Sequence, residues 1–137
     1  MALTHLVDAS VLTRLSRPEV LATVEPIAVR GLAARAGISD LEIGFSARND
    51  DEWNRLIGAL DAFVLVETTA AHIRRALQVQ RLLAARRQRG RKIPDLLVAA
   101  SAETLSLTVL HYDSDFDFIS GATGQPCQSV AERGSID

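Results

Sequence analysis

The sequence contains few of the residues that build cross-links, stacking platforms or membrane spans. It has one cysteine, Cys127, so neither an internal disulfide nor a cysteine-based metal cluster can form. Aromatic residues make up only 4% of the chain, which argues against nucleic-acid recognition by extensive base stacking. No apolar run approaches the ~20 residues of a transmembrane helix, and residues 1–12 lack the basic start and apolar core of a signal peptide. We therefore expect a protein of the reducing cytoplasm with no membrane segment.

The composition is that of one folded domain. Hydrophobic residues make up 47% of the chain and charged residues 23%, which argues against disorder. A length of 137 residues is sufficient to bury a hydrophobic core. We predict a single domain over residues 1–131, followed by a flexible tail over residues 132–137.

The net charge of −2 conceals an uneven distribution of basic residues. Eight of the 15 basic residues lie between Arg74 and Lys92, a segment without any Asp or Glu, and seven lie elsewhere among all 17 acidic residues. One basic element beside an otherwise acidic body indicates a polyanionic partner that approaches from one side.

Short apolar runs alternate with helical patterns along the chain. The runs at 4–7, 63–66 and 107–112 predict buried strands, and 128–130 predicts a last edge strand. Helical patterns fill the intervals between these runs. This alternation predicts an α/β fold with a mostly parallel central sheet and helices on both of its faces.

Two of the predicted helices have explicit start signals. Ser39 is predicted as an N-cap, with Glu42 at the third position after it completing a capping box. Leu41 and Phe45 are predicted to face inward on that helix. A longer helix is predicted to start after Thr68 or Thr69 and to run to about Arg87. Its predicted inward residues are Ile73, Ala76, Leu77, Leu83 and Ala84.

Three aspartates lie at positions where a parallel sheet would bring them together. Asp8 follows the apolar run His5–Val7, Asp113 follows the run at 107–112, and Asp95 begins a further apolar helix. The carboxyl ends of parallel strands meet at one edge of the sheet, where ligand crevices form. Because crowded carboxylates repel one another unless a cation neutralises them, the pattern predicts a Mg²⁺ or Mn²⁺ site.

With these acids in place, the chain resembles the PIN-domain ribonucleases, and among them the VapC toxins of bacterial toxin–antitoxin pairs. The resemblance is carried by Leu6–Leu12, Ser39–Ile43, Lys92–Ala102 and Val109–Phe116, and it extends over essentially the whole chain. It implies a PIN-like three-layer sandwich and a metal-dependent endoribonuclease that hydrolyses RNA through a metal-activated water. The implied metal ligands and catalytic residues are Asp8, Glu42, Asp95 and Asp113.

Other residues are candidates for supporting roles in that chemistry. Asp115 or Asp117 could supply a further metal ligand or a water-mediated contact, and Ser10 could orient a metal-bound water or a phosphate. A basic loop directly precedes Asp95, and its cations could contact RNA phosphates. The RNA-binding candidates are Arg86, Arg87, Arg89, Arg91 and Lys92.

The resemblance also implies protein partners. VapC-type toxins pair with a small VapB-like antitoxin, whose peptide would lie against the helices near residues 42–60. One of its arginines would neutralise the carboxylates. Homodimerisation is implied as well.

Structural explanations compete with this interpretation. Asp8 and Asp95 could act as helix caps or favour helix N-termini, and the capping box would fully explain Glu42. A catalytically silent PIN-like scaffold that binds RNA or protein is one alternative function. A phosphate-handling α/β domain is another, but a receiver would place a lysine at its last strand, whereas the only lysine is Lys92 in a loop. A dehalogenase-like phosphatase would require D-x-D where Asp8 is followed by Ala9-Ser10.

Overall fold

The computed structural model describes residues 2–136, so Met1 and Asp137 lie outside the described part of the chain. Within residues 2–136 there are five β-strands, seven α-helices and one 3-10 turn at Ala59–Ala62. The strands are β1 (His5–Val7), β2 (Ala33–Ala36), β3 (Val64–Val66), β4 (Thr108–His111) and β5 (Cys127–Ser129). The helices are α1 (Ala9–Leu12), α2 (Pro18–Val29), α3 (Gly37–Phe45), α4 (Asp50–Gly58), α5 (Ala70–Ala85), α6 (Ile93–Leu105) and α7 (Asp115–Thr123). None of these helices is long and apolar enough to cross a membrane.

The strands form one sheet in the order β3-β2-β1-β4-β5, and every neighbouring pair is parallel. Successive side chains of β1 enter two different cores, as the two-residue period of a strand requires. Leu6 packs in the cluster with α5, α6 and α7, whereas Val7 packs in the cluster with α1, α2 and α3. The predicted α/β three-layer sandwich is confirmed, with a sheet that is entirely parallel.

The central strands bring two aspartates to the same edge of the sheet. β1 and β4 are neighbours in register, with Val7 opposite Leu110. Asp8 continues this pairing, because its backbone N–H donates to the Leu110 carbonyl at 2.9 Å. The segments that follow β1 and β4, which carry Asp8 and Asp113, therefore begin at neighbouring positions next to the first turn of α6.

The predicted start of α3 is wrong. The helix begins at Gly37, where the chain passes directly from β2, and its N-cap Ala36 has no side-chain hydrogen bond. Ser39 is therefore buried inside the helix and does not form a capping box with Glu42. Since Ser39 and Ile43 face the core, Leu41 and Phe45 project from the opposite side and are 71% and 93% exposed.

The predictions for α5 and β3 are partly confirmed. Thr69 caps α5: its Oγ1 accepts a hydrogen bond from the His72 N–H, and His72 Nδ1 accepts one from the Thr69 N–H. The helix buries His72, Ala76, Val79 and Leu83. Ile73, Leu77 and Ala84 lie off this stripe and are exposed, contrary to the prediction. β3 is an edge strand rather than a buried one, so about half of Leu65 is exposed.

The segment predicted as a flexible tail contacts the body of the domain. The Gly134 N–H donates to Tyr112 Oη at 2.7 Å, and Ile136 is 4% exposed within the second core cluster. Just before it, the Val130 N–H donates to the His111 carbonyl at 2.8 Å. These contacts hold residues 130–136 beside the end of β4.

Candidate metal centre

Asp8 both caps a helix and presents a second carboxylate oxygen. Its Oδ2 accepts hydrogen bonds from the Ser10 N–H at 3.0 Å and the Ser10 hydroxyl at 2.6 Å. The Ser10 hydroxyl in turn accepts from the Tyr112 N–H at 2.9 Å, which joins the ends of β1 and β4. Oδ1 is buried and has no hydrogen-bond partner among the described residues. Burial raises the pKa of Asp8, and the charge of Asp113 adds to that rise.

Asp95 is buried in the first turn of α6, after Pro94 at a helix position that suits proline. Only 3% of the residue is exposed, and its Oδ2 lacks a hydrogen-bond partner within residues 2–136. Burial, followed by the charges of Asp8 and Asp113, raises the pKa of Asp95 to about 8. Burial is the larger cause, and the repulsion anticipated from the sequence adds to it.

Asp113 and Asp115 complete the tightest acidic group. Asp95, Asp113 and Asp115 each present an oxygen, and these oxygens lie within 4.8 Å of one another. The Asp115 N–H donates to Asp113 Oδ1 at 2.9 Å, so the turn after β4 holds both residues in place. Burial opposes ionisation of Asp113, but hydrogen bonds from Lys92 and the Asp115 N–H outweigh it and lower the pKa of Asp113.

Glu42 approaches the same group from α3. Its side chain is half-buried, and its Oε1 has no hydrogen-bond partner in the described part of the chain. Burial raises the pKa of Glu42, and the negative charge of Asp8 raises it further. Asp117, by contrast, is exposed on α7 and lies outside the tight group.

Lys92 supplies the positive charge that faces these acids. Its Nζ donates to Asp113 Oδ2 and lies 3.8 Å from both Asp95 Oδ2 and Asp115 Oδ2. The hydrogen bond to Asp113 raises the pKa of Lys92. The sequence predicted this lysine only as a phosphate contact, because spacing along the chain does not reveal that its side chain turns back over the acids.

The other basic candidates are distributed along the loop before α6. Arg91 donates to Asp115 Oδ1 at 3.1 Å, and its guanidinium lies 4.4 Å from the centre of the Phe118 ring. Arg86, Arg87 and Arg89 are exposed. The structure thus brings two of the five candidates to the acids and leaves three on the surface of the adjoining loop.

The arrangement fits a hard divalent cation. Within residues 2–136, the buried carboxylate oxygens without a hydrogen-bond partner belong to Asp8, Glu42 and Asp95, and the neighbouring Asp113 and Asp115 add further carboxylates. Mg²⁺ prefers oxygen ligands and commonly takes one or two carboxylates together with waters and substrate oxygens. Unpaired buried carboxylates are costly, and a bound cation would remove that cost.

A polar cavity of about 280 Å³ adjoins the acids and was not anticipated from the sequence. Its lining includes Arg14, Tyr112, Asp113, Asp117 and Arg133. Arg14 follows α1 and Tyr112 precedes Asp113, so both could have been found by their nearness to the motifs. Arg133 lies near none of these motifs in the sequence. It reaches the cavity only because the C-terminal segment folds back beside the end of β4.

Comparison with known proteins places this geometry in a family. A PIN-domain profile matches residues 5–121. The chain belongs to the PIN-domain family. It is 62% identical over 137 residues to ribonuclease VapC51 of Mycobacterium tuberculosis, covering the full length of both proteins. It is 40% identical over 138 residues to ribonuclease VapC21 of the same species, covering 98% of this chain and 99% of the relative.

Solved structures share the PIN fold at lower identity. One is a VapBC2 complex from Rickettsia felis bound to a DNA fragment from its promoter, with a TM-score of 0.77 and 12% identity over 94% of this chain and 98% of that chain. Another is a toxin–antitoxin complex from Klebsiella pneumoniae, with a TM-score of 0.74 and 21% identity over 94% of this chain and 99% of that chain. At these identities the similarity establishes the fold. The PIN assignment also displaces the receiver and phosphatase interpretations.

Proposed function

We propose that this PIN-domain protein is an endoribonuclease toxin that hydrolyses RNA phosphodiester bonds with Mg²⁺ or Mn²⁺. The observation that carries the proposal is the group of Asp95, Asp113 and Asp115 oxygens within 4.8 Å, beside unpartnered oxygens of Asp8 and Glu42. Its full-length similarity to proteins named as VapC ribonucleases supports the same activity.

Asp8, Asp95 and Asp113 would hold the cation, with Glu42 and Asp115 as additional or water-mediated ligands. When bound, such a cation lowers the pKa of a coordinated water and polarises the phosphodiester. Ser10 contributes positioning, because its hydroxyl orients Asp8 through Oδ2 and leaves Oδ1 available.

The basic loop would bind the RNA backbone. Arg86, Arg87 and Arg89 are exposed, whereas Arg91 and Lys92 lie at the rim of the acidic group. Their charges would make binding depend on salt, as phosphate contacts do. We propose the cytoplasm as the place of this activity, because cellular RNA is the proposed substrate. Asp117 is proposed to act near the rim rather than as a direct ligand.

A VapB-like antitoxin is the proposed protein partner. Leu41, Phe45 and Trp53 expose apolar surface on α3 and α4, where an antitoxin peptide would pack. Lys92 already shows that a cationic side chain fits among the carboxylates, so an antitoxin arginine could neutralise them in the same manner. Homodimerisation is proposed from the family resemblance.

The test is cleavage of a total RNA pool by purified, antitoxin-free protein with Mg²⁺ or Mn²⁺ and with EDTA. Asp8→Asn should abolish the metal-dependent products, whereas Asp61→Asn, at an exposed aspartate, should leave them unchanged. Sequencing the product ends would identify the bond that is cut. Cleavage that persists in Asp8→Asn or in EDTA would contradict the proposal.

One observation favours a second candidate, a scaffold that binds RNA or protein without cutting. Lys92 itself neutralises part of the acidic group, so the fold has a source of positive charge other than a metal ion. Under this alternative, calorimetry would detect no Mg²⁺ or Mn²⁺ binding, and wild type would be as inactive as Asp8→Asn. Metal binding that depends on Asp8 would reject it.

A further inference from the structure

We infer that His111 is a positioning residue of the proposed metal centre, whose ring holds the turn after β4 so that Asp113 and Asp115 face the cation. The inference rests on the proposed function, because it concerns the ligands of the metal ion on which that function depends. It adds to that function a residue that acts through the Asp113 backbone and does not itself bind the metal.

The backbone N–H groups that follow β4 depend on side chains for their hydrogen bonds. Within β4 the backbone pairs with β1 and β5, but beyond the strand the buried N–H groups need other acceptors. The Tyr112 N–H donates to the Ser10 hydroxyl at 2.9 Å. The Asp113 N–H donates to Nδ1 of His111 at 3.1 Å, and the Asp115 N–H donates to Asp113 Oδ1 at 2.9 Å. His111 therefore supplies the acceptor that fixes the backbone of Asp113.

The His111 ring is itself held firmly enough to orient the turn. Only 2% of the residue is exposed, and its ring centre lies 4.9 Å from that of Phe116, a fully buried residue of α7. The His111 backbone is in register with Ser129 of β5, and its carbonyl accepts a hydrogen bond from the Val130 N–H at 2.8 Å. A side chain that packing locks in this way keeps its acceptor atom in one place.

The hydrogen bond to Asp113 also determines which ring nitrogen carries the proton. A neutral imidazole has one N–H donor and one acceptor, so a ring that accepts through Nδ1 carries its proton on Nε2. Nε2 is buried and has no hydrogen-bond partner within residues 2–136. Packing against Phe116 requires only the ring, whereas positioning of Asp113 requires the Nδ1 acceptor. The two roles can therefore be separated by substitution.

The consequence for the metal centre follows from the close grouping of its carboxylates. Oxygens of Asp95, Asp113 and Asp115 lie within 4.8 Å of one another. Because the Asp115 N–H is hydrogen-bonded to Asp113 Oδ1, a shift of the Asp113 backbone would displace both residues relative to Asp95. Replacing a residue that orients metal ligands typically lowers metal affinity by about 10–100-fold.

The first test compares two variants that separate the acceptor from the ring. His111→Phe keeps a ring against Phe116 but loses the acceptor, whereas His111→Asn places a carbonyl oxygen where Nδ1 lies but loses the ring. Mn²⁺ binding to each purified protein is measured by calorimetry. His5→Phe is the matched control, because His5 starts β1, at the opposite end of that strand from Asp8.

We expect the loss of the acceptor to weaken Mn²⁺ binding more than the loss of the ring. His111→Phe should lower the Mn²⁺ affinity by about tenfold or more, and His111→Asn by less than about threefold. His5→Phe should have the affinity of wild type. A larger loss in His111→Asn than in His111→Phe would overturn the inference, since packing would then be the role of the ring.

The second test requires neither a variant nor a metal ion. Long-range proton–nitrogen NMR spectra of wild type in EDTA report which ring nitrogen of His111 is protonated, and we expect Nε2. Amide hydrogen exchange of Asp113 should be slow in wild type, because the N–H is hydrogen-bonded to the ring. A proton on Nδ1, or an Asp113 amide that exchanges as fast as in an unfolded chain, would overturn the inference.

RNA cleavage assays on the same proteins distinguish this inference from the proposed nuclease. Metal-dependent cleavage by wild type, together with equal Mn²⁺ affinities of wild type and His111→Phe, would reject the positioning role and leave the nuclease intact. Acceptor-dependent Mn²⁺ binding without any cleavage by wild type would support the positioning role and reject the nuclease. Absence of Mn²⁺ binding by wild type would reject both.

Discussion

Replacing Asp95 by asparagine should stabilise the protein in the absence of divalent metal. The asparagine has nearly the same shape as the aspartate but carries no charge, and its amide can donate toward the neighbouring carboxylates. Asp95 is 3% exposed, and burial together with the charges of Asp8 and Asp113 raises its pKa from 3.8 to about 8. The native protein therefore retains a proton at neutral pH that the unfolded chain releases.

The magnitude and the sign follow from that pKa. Each unit of pKa difference corresponds to about 1.36 kcal/mol, so native stability falls as pH rises from about 4 to about 8 and then levels off. At pH 7 the loss attributable to Asp95 is about 4 kcal/mol. Asp8 and Glu42 also have raised pKa values and act in the same direction. The lowered pKa of Asp113 instead makes native stability rise with pH, but only in more acidic solution.

The assay is urea unfolding followed by circular dichroism in EDTA, from pH 5 to pH 8. We expect Asp95→Asn to gain about 2–4 kcal/mol at pH 7 and to show a flatter dependence of stability on pH than wild type. Asp61→Asn should follow wild type throughout. If Asp95→Asn were less stable than wild type at pH 7, or if both had the same pH slope, the burial and mutual repulsion of these carboxylates would not be the source of instability.

Further predictions concern the counter-ion, a helix end and the attachment of β2. Lys92→Met should tighten Mg²⁺ or Mn²⁺ binding in calorimetry, because the metal ion would no longer compete with the Lys92 ammonium group for the carboxylates. Arg89→Met is the control, and a metal affinity of Lys92→Met equal to that of wild type would contradict the reasoning. Ser106→Gly should raise the free energy of unfolding by about 0.5–1 kcal/mol, since Ser106 ends α6 in the left-handed region with φ 58°. Arg35→Met should cost about 2–4 kcal/mol in urea unfolding, because Arg35 pairs with Asp40 at 2.9 Å and donates to the Leu60 carbonyl. Arg35→Lys should not restore this stability, because a lysine cannot reproduce the planar fork.

Most of the fold could be predicted because its signals are local. The apolar runs before Asp8 and Asp113 indicate strands regardless of what lies around them, and Pro94 marks a helix start through its own geometry. The one helix whose start was predicted wrongly, α3, has no turn between it and β2. There the backbone enters the helix directly, and a favourable capping sequence at Ser39 did not outweigh the packing of Ser39 and Ile43 into the core.

The candidate site, like the fold, was only partly predictable from the sequence. Asp8, Asp95 and Asp113 could be selected from the sequence because parallel strands bring their carboxyl ends to one edge. Glu42 was selected only through the resemblance to PIN-domain ribonucleases. The unequal pKa values of these acids could not be predicted, since these depend on burial and on distances between residues far apart in the chain. The direction of Lys92 Nζ likewise depends on where Asp113 and Asp115 lie after folding.

The sequence by itself determined four of the five strands, the α/β class and the positions of the acids, because periodicity and residue chemistry act within a few residues. It did not determine β2, whose short alanine-rich segment has no clear strand pattern. Only the tertiary structure decided that Phe45 faces solvent, that Lys92 neutralises the carboxylates and that Arg133 reaches the cavity beside Asp113. Each of these depends on contacts between segments distant in sequence. Such contacts form only when the whole domain packs, so no local pattern encodes them.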